Sequence, residues 1–398
     1  MSDKKYNSFF ANNVPQNSVL TEPLPRPKYD FAVAFPDPDH FPIGDLHESL
    51  GEALKDQGRD LVFYPHPQGL LEFRELVCKK IKDNRGIDVS PQNVIITAGS
   101  GQSINLITQL FINPGDTIVS EQFTYTGALR VFERFGAKMA GVEMDEEGMI
   151  PEFLENKLIE LKNSGVTPKF IYTIPTFQNP VGTDMSFDRK KEILAISQKY
   201  QIPLFEDDCY ADLRFEGENS PAIASLNGQD NVVYSGSFSK ILAPGLRLGW
   251  IVAPDTFLPY LMAVNPGTPP SQFTILSALY FLKKNMEEHV ANLCNMFRGK
   301  RDCMLGAIGE SMGSEVEIIA PKGGLYLWLK FPDDIDLEPI LPIAREKGVI
   351  FGLGNTFSTG KKANNYIRLC YGYHNLEDTV SGIELLANVF REQGLLKS

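Results

Sequence analysis

The chain has 398 residues, of which 43% are hydrophobic and 22% are charged, the balance of an ordinary globular protein with room for two lobes. Its formal net charge is −12 at pH 7, and so acidic a protein is disfavoured as a general binder of nucleic-acid phosphates. The sequence has no run of about 18 apolar residues and no apolar core of signal-peptide length at its N-terminus. We therefore expect a cytoplasmic protein with neither a membrane nor a nucleic-acid partner.

The cysteines and histidines indicate no metal site. The five cysteines are odd in number, and none of them belongs to a Cys-x-x-Cys pair. This spacing favours free thiols over a disulfide framework or a structural zinc site. The five histidines are scattered along the chain in the same way.

Residues 1–50 are rich in proline and have no long helical period. Proline fixes the backbone angle φ and cannot donate a backbone hydrogen bond, so this segment is predicted to be an extended arm. We expect the arm to lie across another part of the protein and to join a smaller C-terminal lobe.

From about residue 60, short apolar runs alternate with segments of helical period, such as 127–135 and 187–200. Apolar strands separated by helices are typical of an α/β fold, with a mostly parallel sheet covered on both faces. Such sheets bind ligands at the carboxyl ends of their strands. The predicted strands are 93–97, 117–120, 169–173, 202–206, 232–235 and 248–252.

The C-terminal third has a different pattern. A long, mostly helical stretch at about 274–312 is followed by a strand, a helix, a strand and a final amphipathic helix, at 325–331, 337–347, 366–371 and 376–393. This mixture predicts a smaller α+β lobe. The predicted division is an arm at 1–50 that belongs to the small domain, a large domain at 51–288 and the small C-terminal domain at 289–398.

The first motif that can carry chemistry is Thr97-Ala-Gly-Ser100-Gly101-Gln102, where a strand leads through a Gly-Ser-Gly turn into a helix. Backbone N–H groups at a helix start form an anion site. The dinucleotide fingerprint needs a third glycine where Ile104 stands, so a nicotinamide site is disfavoured. An ordinary tight turn with a capping serine fits the same residues.

The second motif is Ser235-Gly-Ser237-Phe-Ser239-Lys240, at the end of a predicted strand. A partly desolvated amine in that position has a lowered pKa and can attack a carbonyl carbon. Arg247, seven residues later, is a candidate phosphate clamp. Most lysines are solvated surface charges, but the surrounding serines, glycines and arginine favour a functional role for this one.

Two further motifs follow predicted strands. Glu206-Asp207-Asp208 places three carboxylates after an apolar run, which is costly unless a cation faces them. A protonated pyridine nitrogen would be such a cation; a magnesium site or a solvated strand end are the alternatives, and the lack of a nucleotide-type Gly-Lys-Ser/Thr loop disfavours magnesium. Asn179 stands between two prolines after 169–173, either as a presented amide or in an ordinary proline-stabilised turn.

Together and in this order, the motifs resemble the fold-type-I pyridoxal-phosphate-dependent aminotransferases, in the branch that contains 2-aminoadipate and kynurenine aminotransferases. The catalytic domains of certain transcription regulators belong to the same branch. The resemblance extends from about Tyr64 to the end of the chain, and more loosely over 31–42. It implies a seven-stranded sheet in an aspartate-aminotransferase-like large domain, with pyridoxal 5′-phosphate as the cofactor.

The resemblance also implies roles for the cofactor contacts. Lys240 would hold the cofactor as a Schiff base and later move the substrate α-proton. Asp207, chosen over Asp208 by the family spacing Asp-x-x-Tyr, would pair with the pyridine nitrogen. Tyr210 and Asn179 would hydrogen-bond the phenolic oxygen. The other implied contacts are Tyr125, stacked on the ring, and, at the phosphate, Ser100, Gly101, Gln102, Ser237 and Arg247.

Substrate and subunit contacts are implied in the same way. Arg368 matches the arginine that binds the substrate α-carboxylate, although by itself it would be read as a surface strand residue. Tyr64, in Tyr-Pro-His-Pro-Gln-Gly, resembles the tyrosine that reaches the phosphate of the neighbouring subunit's cofactor, which implies a homodimer. Ala34-Phe35 stands where relatives usually have glycine and a hydrophobic residue, so the pocket for the substrate side chain is expected to be reshaped.

The implied activity is a ping-pong transfer of an amino group from an amino acid to a 2-oxo acid, with 2-oxoglutarate as the acceptor. The same lysine and aspartate would serve elimination, decarboxylation or racemisation, and a non-catalytic sensor is a further alternative. The sequence leaves the amino donor open, and Phe35 favours bulky or apolar donors.

Overall fold

The computed structural model describes residues 9–10, 25–226, 229–267 and 269–397, so much of the predicted arm lies outside the described residues. The described helices are α1 (Ile43–Gln57), α2 (Leu71–Arg85), α3 (Ser100–Phe111), α4 (Thr126–Arg134), α5 (Pro151–Asn163), α6 (Phe187–Tyr200), α7 (Leu258–Val264), α8 (Gln272–Met312), α9 (Ile340–Glu346) and α10 (Leu376–Glu392). The described strands are β1 (Tyr29–Asp30), β2 (Val94–Thr97), β3 (Thr117–Glu121), β4 (Lys138–Val142), β5 (Met144–Asp145), β6 (Gly148–Met149), β7 (Ile171–Thr173), β8 (Leu204–Asp207), β9 (Val232–Ser237), β10 (Gly249–Val252), β11 (Glu317–Ile318), β12 (Tyr326–Lys330), β13 (Val349–Ile350), β14 (Gly352–Leu353) and β15 (Tyr366–Cys370).

Seven strands form the main sheet, in the order β2-β10-β9-β8-β7-β3-β4. Neighbouring strands run parallel, except that β10 is antiparallel to both β2 and β9. Along the chain, α3 lies between β2 and β3, α4 between β3 and β4, α5 between β4 and β7, and α6 between β7 and β8. The predicted α/β class with a mostly parallel seven-stranded sheet is confirmed.

Side chains of the central strands alternate between two buried cores. In β2, Val94 and Ile96 belong to one core and Ile95 belongs to the other. The same alternation separates Leu204 from Phe205 in β8. Because successive side chains of a strand point to opposite faces, a sheet that is covered on both faces requires near-continuous apolar runs.

One edge of the main sheet collects the ends of the strands that carry the motifs. β2, β3, β7, β8 and β9 end at this edge, and β10 begins there because it runs in the opposite direction. Gly249, the first residue of β10, pairs with Thr97 at the end of β2 and with Ser237 at the end of β9. The segments that follow the parallel strands, and the segment that precedes β10, therefore meet at this edge.

The C-terminal third forms a smaller lobe, and the arm packs on it. Its antiparallel sheet has the order β11-β12-β15-β14. β1 of the arm pairs in parallel with β13, and the backbone N–H of Cys370 donates to the carbonyl of Phe31 at 2.8 Å. The Phe31 ring is buried against Gly382 of α10, where an added Cβ would lie 2.6 Å from the ring.

The extended part of the arm is shorter than predicted. The prediction of extended chain up to residue 50 is wrong for residues 43–50, because α1 begins at Ile43, directly after Pro42. The buried face of α1 consists of Leu46, Ser49 and Ala53. Leu46, Leu50, Ala53 and Leu54 do recur at helical spacing, but in the sequence-based prediction the prolines up to Pro42 outweighed that period.

Two elements of the large lobe have too weak a pattern to be recognised in the sequence. β4 is an edge strand, and Val142 is its one buried residue. In α5 the buried residues are Leu154 and Leu158. Elements that bury little apolar surface carry little hydrophobic period, so their positions are fixed by the neighbours that they pack against.

The long helix α8 connects the two lobes. It continues for 41 residues, so the predicted boundary at residue 288 falls inside it. In its second half, Lys300 forms a buried ion pair with Asp37 of the arm at 2.5 Å. We propose that 51–288 and 289–398 are the large and small domains, that 1–50 belongs to the small one, and that both share α8.

None of the helices in the described ranges has the length and apolar character needed to cross a membrane.

Candidate active site

A cavity of about 590 Å³ opens at the carboxyl edge of the main sheet, with residues of the arm and of the small lobe in its walls. A groove of about 620 Å³ between α2 and α8 is lined mainly by charged side chains and contains none of the predicted motifs. We therefore place the candidate site in the first cavity. The predicted residues that line it are Ala34, Phe35, Ser100, Gly101, Tyr125, Asn179, Asp207, Tyr210, Ser237, Lys240, Arg247 and Arg368.

Lys240 follows β9 and reaches across to the arm. Its Nζ donates a hydrogen bond to the carbonyl oxygen of Ala34 at 3.1 Å and lies 6.0 Å from the centroid of the Tyr210 ring. Desolvation lowers the pKa of Lys240, and the nearby charges of Arg368 and Arg247 lower it further. An amine with a lowered pKa is more often neutral, and the neutral form is the nucleophile.

The three successive carboxylates at the end of β8 have different environments. Glu206 accepts hydrogen bonds at 2.9 and 2.8 Å from two backbone N–H groups of the turn at Ile223–Ser225. Asp208 forms a buried ion pair with the Nε of Arg85 at 2.7 Å. Of the three, only Asp207 lines the cavity. The two neighbours are therefore structural, and Asp207 is the carboxylate that a ligand can meet.

Asp207 is buried and has no cationic partner among the described residues. Its Oδ2 accepts a hydrogen bond from the Tyr172 hydroxyl at 2.7 Å, and its Oδ1 accepts one from the Cys209 thiol at 2.9 Å. Burial raises the pKa of Asp207 to about 6, although these two hydrogen bonds oppose the rise. A buried carboxylate without a positive partner fits a cationic ring nitrogen, which would supply the positive charge that stabilises the ionised form.

A chain of contacts joins Arg368 to Tyr210. The Nη1 of Arg368 donates to the Oδ1 of Asn179 at 2.7 Å, and the Nδ2 of Asn179 lies 3.4 Å from the Tyr210 hydroxyl. The Tyr210 and Tyr326 hydroxyls are 2.7 Å apart. The guanidinium lies 4.3 Å from the centroid of the Tyr326 ring and 4.5 Å from that of Phe357. Because the buried Nε of Arg368 has no partner among the described residues, this cation fits an anionic ligand.

Small side chains and a cation form the opposite end of the site. α3 begins at Ser100, directly after Gly99, which has a φ of +80°. The Nη2 of Arg247 donates to the carbonyl of Ala98 at 2.7 Å, and a Cβ on Gly99 would lie 3.0 Å from that nitrogen. With the hydroxyl of Ser237 beside them, the helix N-terminus and the guanidinium fit a phosphate group.

Tyr125 lies between these two ends of the site. It follows β3 and directly precedes α4, so its ring lies against the first turn of that helix. A Cβ on Gly127 would lie 2.3 Å from the ring, so only glycine allows this position of the tyrosine. Burial raises the pKa of Tyr125, which therefore offers a neutral aromatic face to the cavity.

A family model described as aminotransferase class I and II matches residues 37–383. The chain belongs to this family. Its members use the cofactor that the site geometry fits, so the predicted pyridoxal phosphate and the predicted transaminase activity are confirmed. The lyase, racemase and sensor alternatives are disfavoured.

The individual relatives include named aminotransferases and a transcriptional regulator. The chain is 33% identical to the aromatic-amino-acid aminotransferase 1 of Thermococcus litoralis over 91% of this chain and 88% of that protein. An uncharacterised HTH-type transcriptional regulator of Bacillus subtilis is 32% identical over 88% of this chain and 72% of the regulator. The crystal structure of a Pyrococcus horikoshii kynurenine aminotransferase in complex with PMP has a TM-score of 0.86 and 33% identity, over 92% of this chain and 91% of that one.

Two predicted site residues lie outside the cavity of this aminotransferase. The side chain of Gln102 accepts a hydrogen bond from the backbone N–H of Ala98 at 2.6 Å, so it closes the turn before α3. Tyr64 is fully exposed in the single chain, and the neighbouring Val62 and Phe63 are 79% and 71% exposed. These positions make Gln102 a support for the anion site and leave Tyr64 available to a second subunit.

Sequence reasoning missed several residues that line the site of the aminotransferase, among them Tyr326. The signal that was available is the pair Gly323-Gly324 just before β12. A Cβ on Gly323 would lie 2.3 Å from the carbonyl oxygen of Leu213, and Gly324 has a φ of +77°. The two glycines therefore let β12 approach the turn that carries Tyr210. The other cavity residues that the sequence did not indicate include Thr126, Arg130, Ile174, Cys209, Leu341, Phe351, Leu353, Thr356 and Phe357.

Replacing Asp207 by asparagine is expected to separate stability from function in this aminotransferase. In the folded protein the pKa of Asp207 is about 6, above its ordinary value of 3.8, so the folded state holds this proton more tightly than the unfolded state does. The stability that Asp207 contributes at low pH is therefore lost as the pH rises from about 4 through 6. At about pH 7.5, urea unfolding of the Asp207→Asn apoprotein should show a gain of up to about 2 kcal/mol. Turnover should fall at least about 100-fold, because the ring nitrogen loses its anion.

The neighbouring substitution Asp208→Asn is the matched control. It removes one partner of the buried pair with Arg85, so the apoprotein should lose about 3–5 kcal/mol of stability. Should Asp207→Asn instead turn over like the wild type, or destabilise the apoprotein as much as Asp208→Asn does, the environment described for Asp207 would be wrong.

Proposed function

We propose that this aminotransferase moves the amino group of an amino acid to 2-oxoglutarate, with Lys240, Asp207 and Tyr210 as its catalytic residues. The observation that carries the proposal is that three charged groups of one cavity each lack a partner of opposite charge among the described residues. They are the Lys240 amine, the Asp207 carboxylate and the Arg368 guanidinium. An aldehyde, a pyridine nitrogen and a substrate carboxylate are the partners that these groups take.

Bound pyridoxal phosphate supplies an aldehyde that takes up an amine and a ring that accepts electrons from the reacting carbon. The N–H groups of Ser100 and Gly101 at the start of α3, with Ser237 and Arg247, would hold the phosphate. Asp207 would keep the ring nitrogen protonated. Tyr125 would lie against the ring, and Lys240 is within the same cavity to bond the aldehyde carbon.

The chain's own groups orient the substrate and move its proton. Arg368 binds the α-carboxylate, and its contact with the Oδ1 of Asn179 directs the Nδ2 of that residue towards Tyr210. Tyr210 and Asn179 donate hydrogen bonds to the phenolic oxygen. Lys240 would take the proton from the α-carbon with its Nζ and deliver it to the carbon that was the cofactor's aldehyde carbon, and its lowered pKa keeps part of the amine neutral for this task.

The wall of the cavity favours bulky or apolar amino donors. Burial of apolar surface is favourable by about 25 cal/mol per Å², so an apolar substrate side chain gains most from apolar neighbours. The guanidinium of Arg26 lies 4.3 Å from the centroid of the Phe35 ring, which helps to hold that ring in place. The relative from T. litoralis is named for aromatic amino acids, which supports the same class. The apolar residues that line the cavity include Ala34, Phe35, Leu341, Phe351, Leu353 and Phe357.

An additional cation supports a dicarboxylic acceptor. Arg130 of α4 is exposed and lines the cavity, and no hydrogen bond or ion pair within the described ranges involves its guanidinium. Phosphate and α-carboxylate would occupy Arg247 and Arg368. Arg130 is therefore available for the second carboxylate of 2-oxoglutarate or glutamate.

The active site is proposed to be shared between two copies of the chain. Tyr64 is fully exposed, and Val62 and Phe63 beside it form an apolar patch that a partner subunit would cover. In this arrangement Tyr64 reaches the cofactor phosphate of the other subunit.

All five cysteines are free thiols, which supports a reducing compartment such as the cytoplasm.

The half-reaction is the direct test of the proposed chemistry. Purified enzyme, loaded with pyridoxal phosphate and mixed with single amino acids, is expected to convert the cofactor to its pyridoxamine form, fastest with aromatic or branched-chain donors. Lys240→Ala should lose the lysine-bound absorbance band and at least about 1,000-fold in rate. The control Lys322→Ala changes an exposed lysine outside the cavity and should behave as the wild type. A Lys240→Ala enzyme that kept both the band and the rate would contradict the assignment.

Arg130→Met tests the second carboxylate site. We expect KM for 2-oxoglutarate and glutamate to rise about 10-fold or more, because a charge-assisted contact is lost, while KM for a monocarboxylic donor stays within about 2-fold. Steady-state kinetics with both substrate classes gives the comparison. Arg134→Met, an arginine of α4 that does not line the cavity, is the control. Equal changes for both classes would show that Arg130 does not select the acceptor.

Mixing two inactive variants tests the shared site. If Tyr64 acts across the dimer, a heterodimer of Tyr64→Ala and Lys240→Ala chains contains one complete site. After co-refolding of equal amounts, activity should recover to about a quarter of the wild-type value at limiting cofactor, because half of the randomly assembled dimers are mixed. If native mass spectrometry shows mixed dimers but the activity does not recover, Tyr64 does not act in the active site of the partner subunit.

A further inference from the structure

We propose that the hydroxyl of Tyr326 is a positioning group that keeps Tyr210 a hydrogen-bond donor towards the cofactor's phenolic oxygen. This inference rests on the proposed role of Tyr210. It assigns a task to a side chain of the small lobe that neither the motifs nor the family assignment singles out. The geometry of four buried residues carries it.

The two tyrosines form a closed pair inside the protein. Their hydroxyl oxygens are 2.7 Å apart, and their rings meet edge to face with centroids 5.4 Å apart. Tyr210 is 6% exposed and Tyr326 is 2% exposed. Because so little water reaches them, each hydroxyl has to satisfy its hydrogen bonds within the site.

Counting hydrogen bonds shows what the direction of the contact between the two hydroxyls means for the proton of Tyr210. A hydroxyl has one proton to donate and two lone pairs that accept. Arg368 occupies the Oδ1 of Asn179, so the amide nitrogen faces Tyr210 and donates to its oxygen. If Tyr326 donates to the second lone pair, the proton of Tyr210 is directed to the cavity. With the reverse direction, that proton would be used up between the two tyrosines.

The surroundings of Tyr326 favour the donor role. Its hydroxyl has no second hydrogen-bond partner among the described residues, so the oxygen of Tyr210 is the acceptor at hand. The Arg368 guanidinium lies 4.3 Å from the centroid of its ring. A cation at that distance stabilises negative charge on the phenolic group, and opposes the rise in the pKa of Tyr326 that burial causes. A more acidic hydroxyl is the better donor.

Ring and hydroxyl of Tyr326 therefore have separable tasks. The ring supports the guanidinium of Arg368, which binds the substrate carboxylate. The hydroxyl acts on Tyr210, whose donation to the phenolic oxygen favours loss of the proton that the bound cofactor shares with that oxygen. Tyr326→Phe removes the second task and keeps the first, whereas Tyr326→Leu removes both.

The test is a pH titration of the absorbance of the bound cofactor, followed without substrate. Tyr326→Phe is expected to raise the midpoint by about 0.5 pH unit, because one hydrogen bond to Tyr210 is lost. The dissociation constant of 3-phenylpropionate, a monocarboxylate probe of Arg368, should change less than about 2-fold. Tyr326→Leu should shift the midpoint and weaken the probe about 5-fold or more.

Tyr366→Phe is the matched control. Tyr366 belongs to the same small sheet and stacks on Trp328, but it does not line the cavity, so its loss of a hydroxyl should leave the midpoint unchanged. The proposal is overturned if the midpoint of Tyr326→Phe stays within about 0.2 pH unit of the wild type, or if Tyr366→Phe shifts it equally.

A double-mutant cycle separates this proposal from the role of Tyr210 on which it rests. If Tyr326 acts through Tyr210, adding Tyr326→Phe to Tyr210→Phe should give no further shift of the midpoint. A further shift in the double variant would overturn the positioning role of Tyr326. If Tyr210→Phe alone gave no shift, the proposed function of Tyr210 would fail instead.

Discussion

The main sheet is buried on both faces, and this constraint decides where chemistry can occur. A strand with apolar cores on either side has no place for charge along its length, so polar groups are confined to its ends. Six parallel strands end at the same edge, and the antiparallel β10 begins there. As a result Lys240, Asp207 and Asn179 follow neighbouring strands, and Arg247 precedes β10, so that segments far apart in the chain share one cavity.

Charges at this edge fall into two groups. The carboxylates that point into the protein have partners: Asp208 is paired with Arg85, and Glu206 accepts two backbone hydrogen bonds. The charged groups turned into the cavity, Asp207 and Lys240, have hydrogen-bond partners but no group of opposite charge beside them among the described residues. Unpaired charge in a buried place costs stability, so its presence marks the positions where the cofactor and the substrate supply the partner.

The small lobe completes the site from the other side. In the sheet of this lobe, Trp328 of β12 lies opposite Arg368 of β15. The glycine pair before β12 lets that strand come close enough for Tyr326 to meet Tyr210. The arm adds the carbonyl of Ala34, which receives the hydrogen bond of Lys240. Carboxylate binding, proton transfer and contact with the phenolic oxygen are thus linked through residues of both lobes and of the arm.

The amino-acid sequence by itself indicated six of the seven strands of the main sheet, and it indicated Lys240, Asp207 and the turn at Ser100. These features depend on local pattern: apolar runs, turn residues and the spacing of a few polar side chains. Tertiary structure alone decided that Asp208 pairs with Arg85 and that Tyr326 meets Tyr210. The physical reason is that these contacts join residues 123 and 116 positions apart in the chain, and that elements which bury little apolar surface, such as β4 and α5, are fixed by what they pack against.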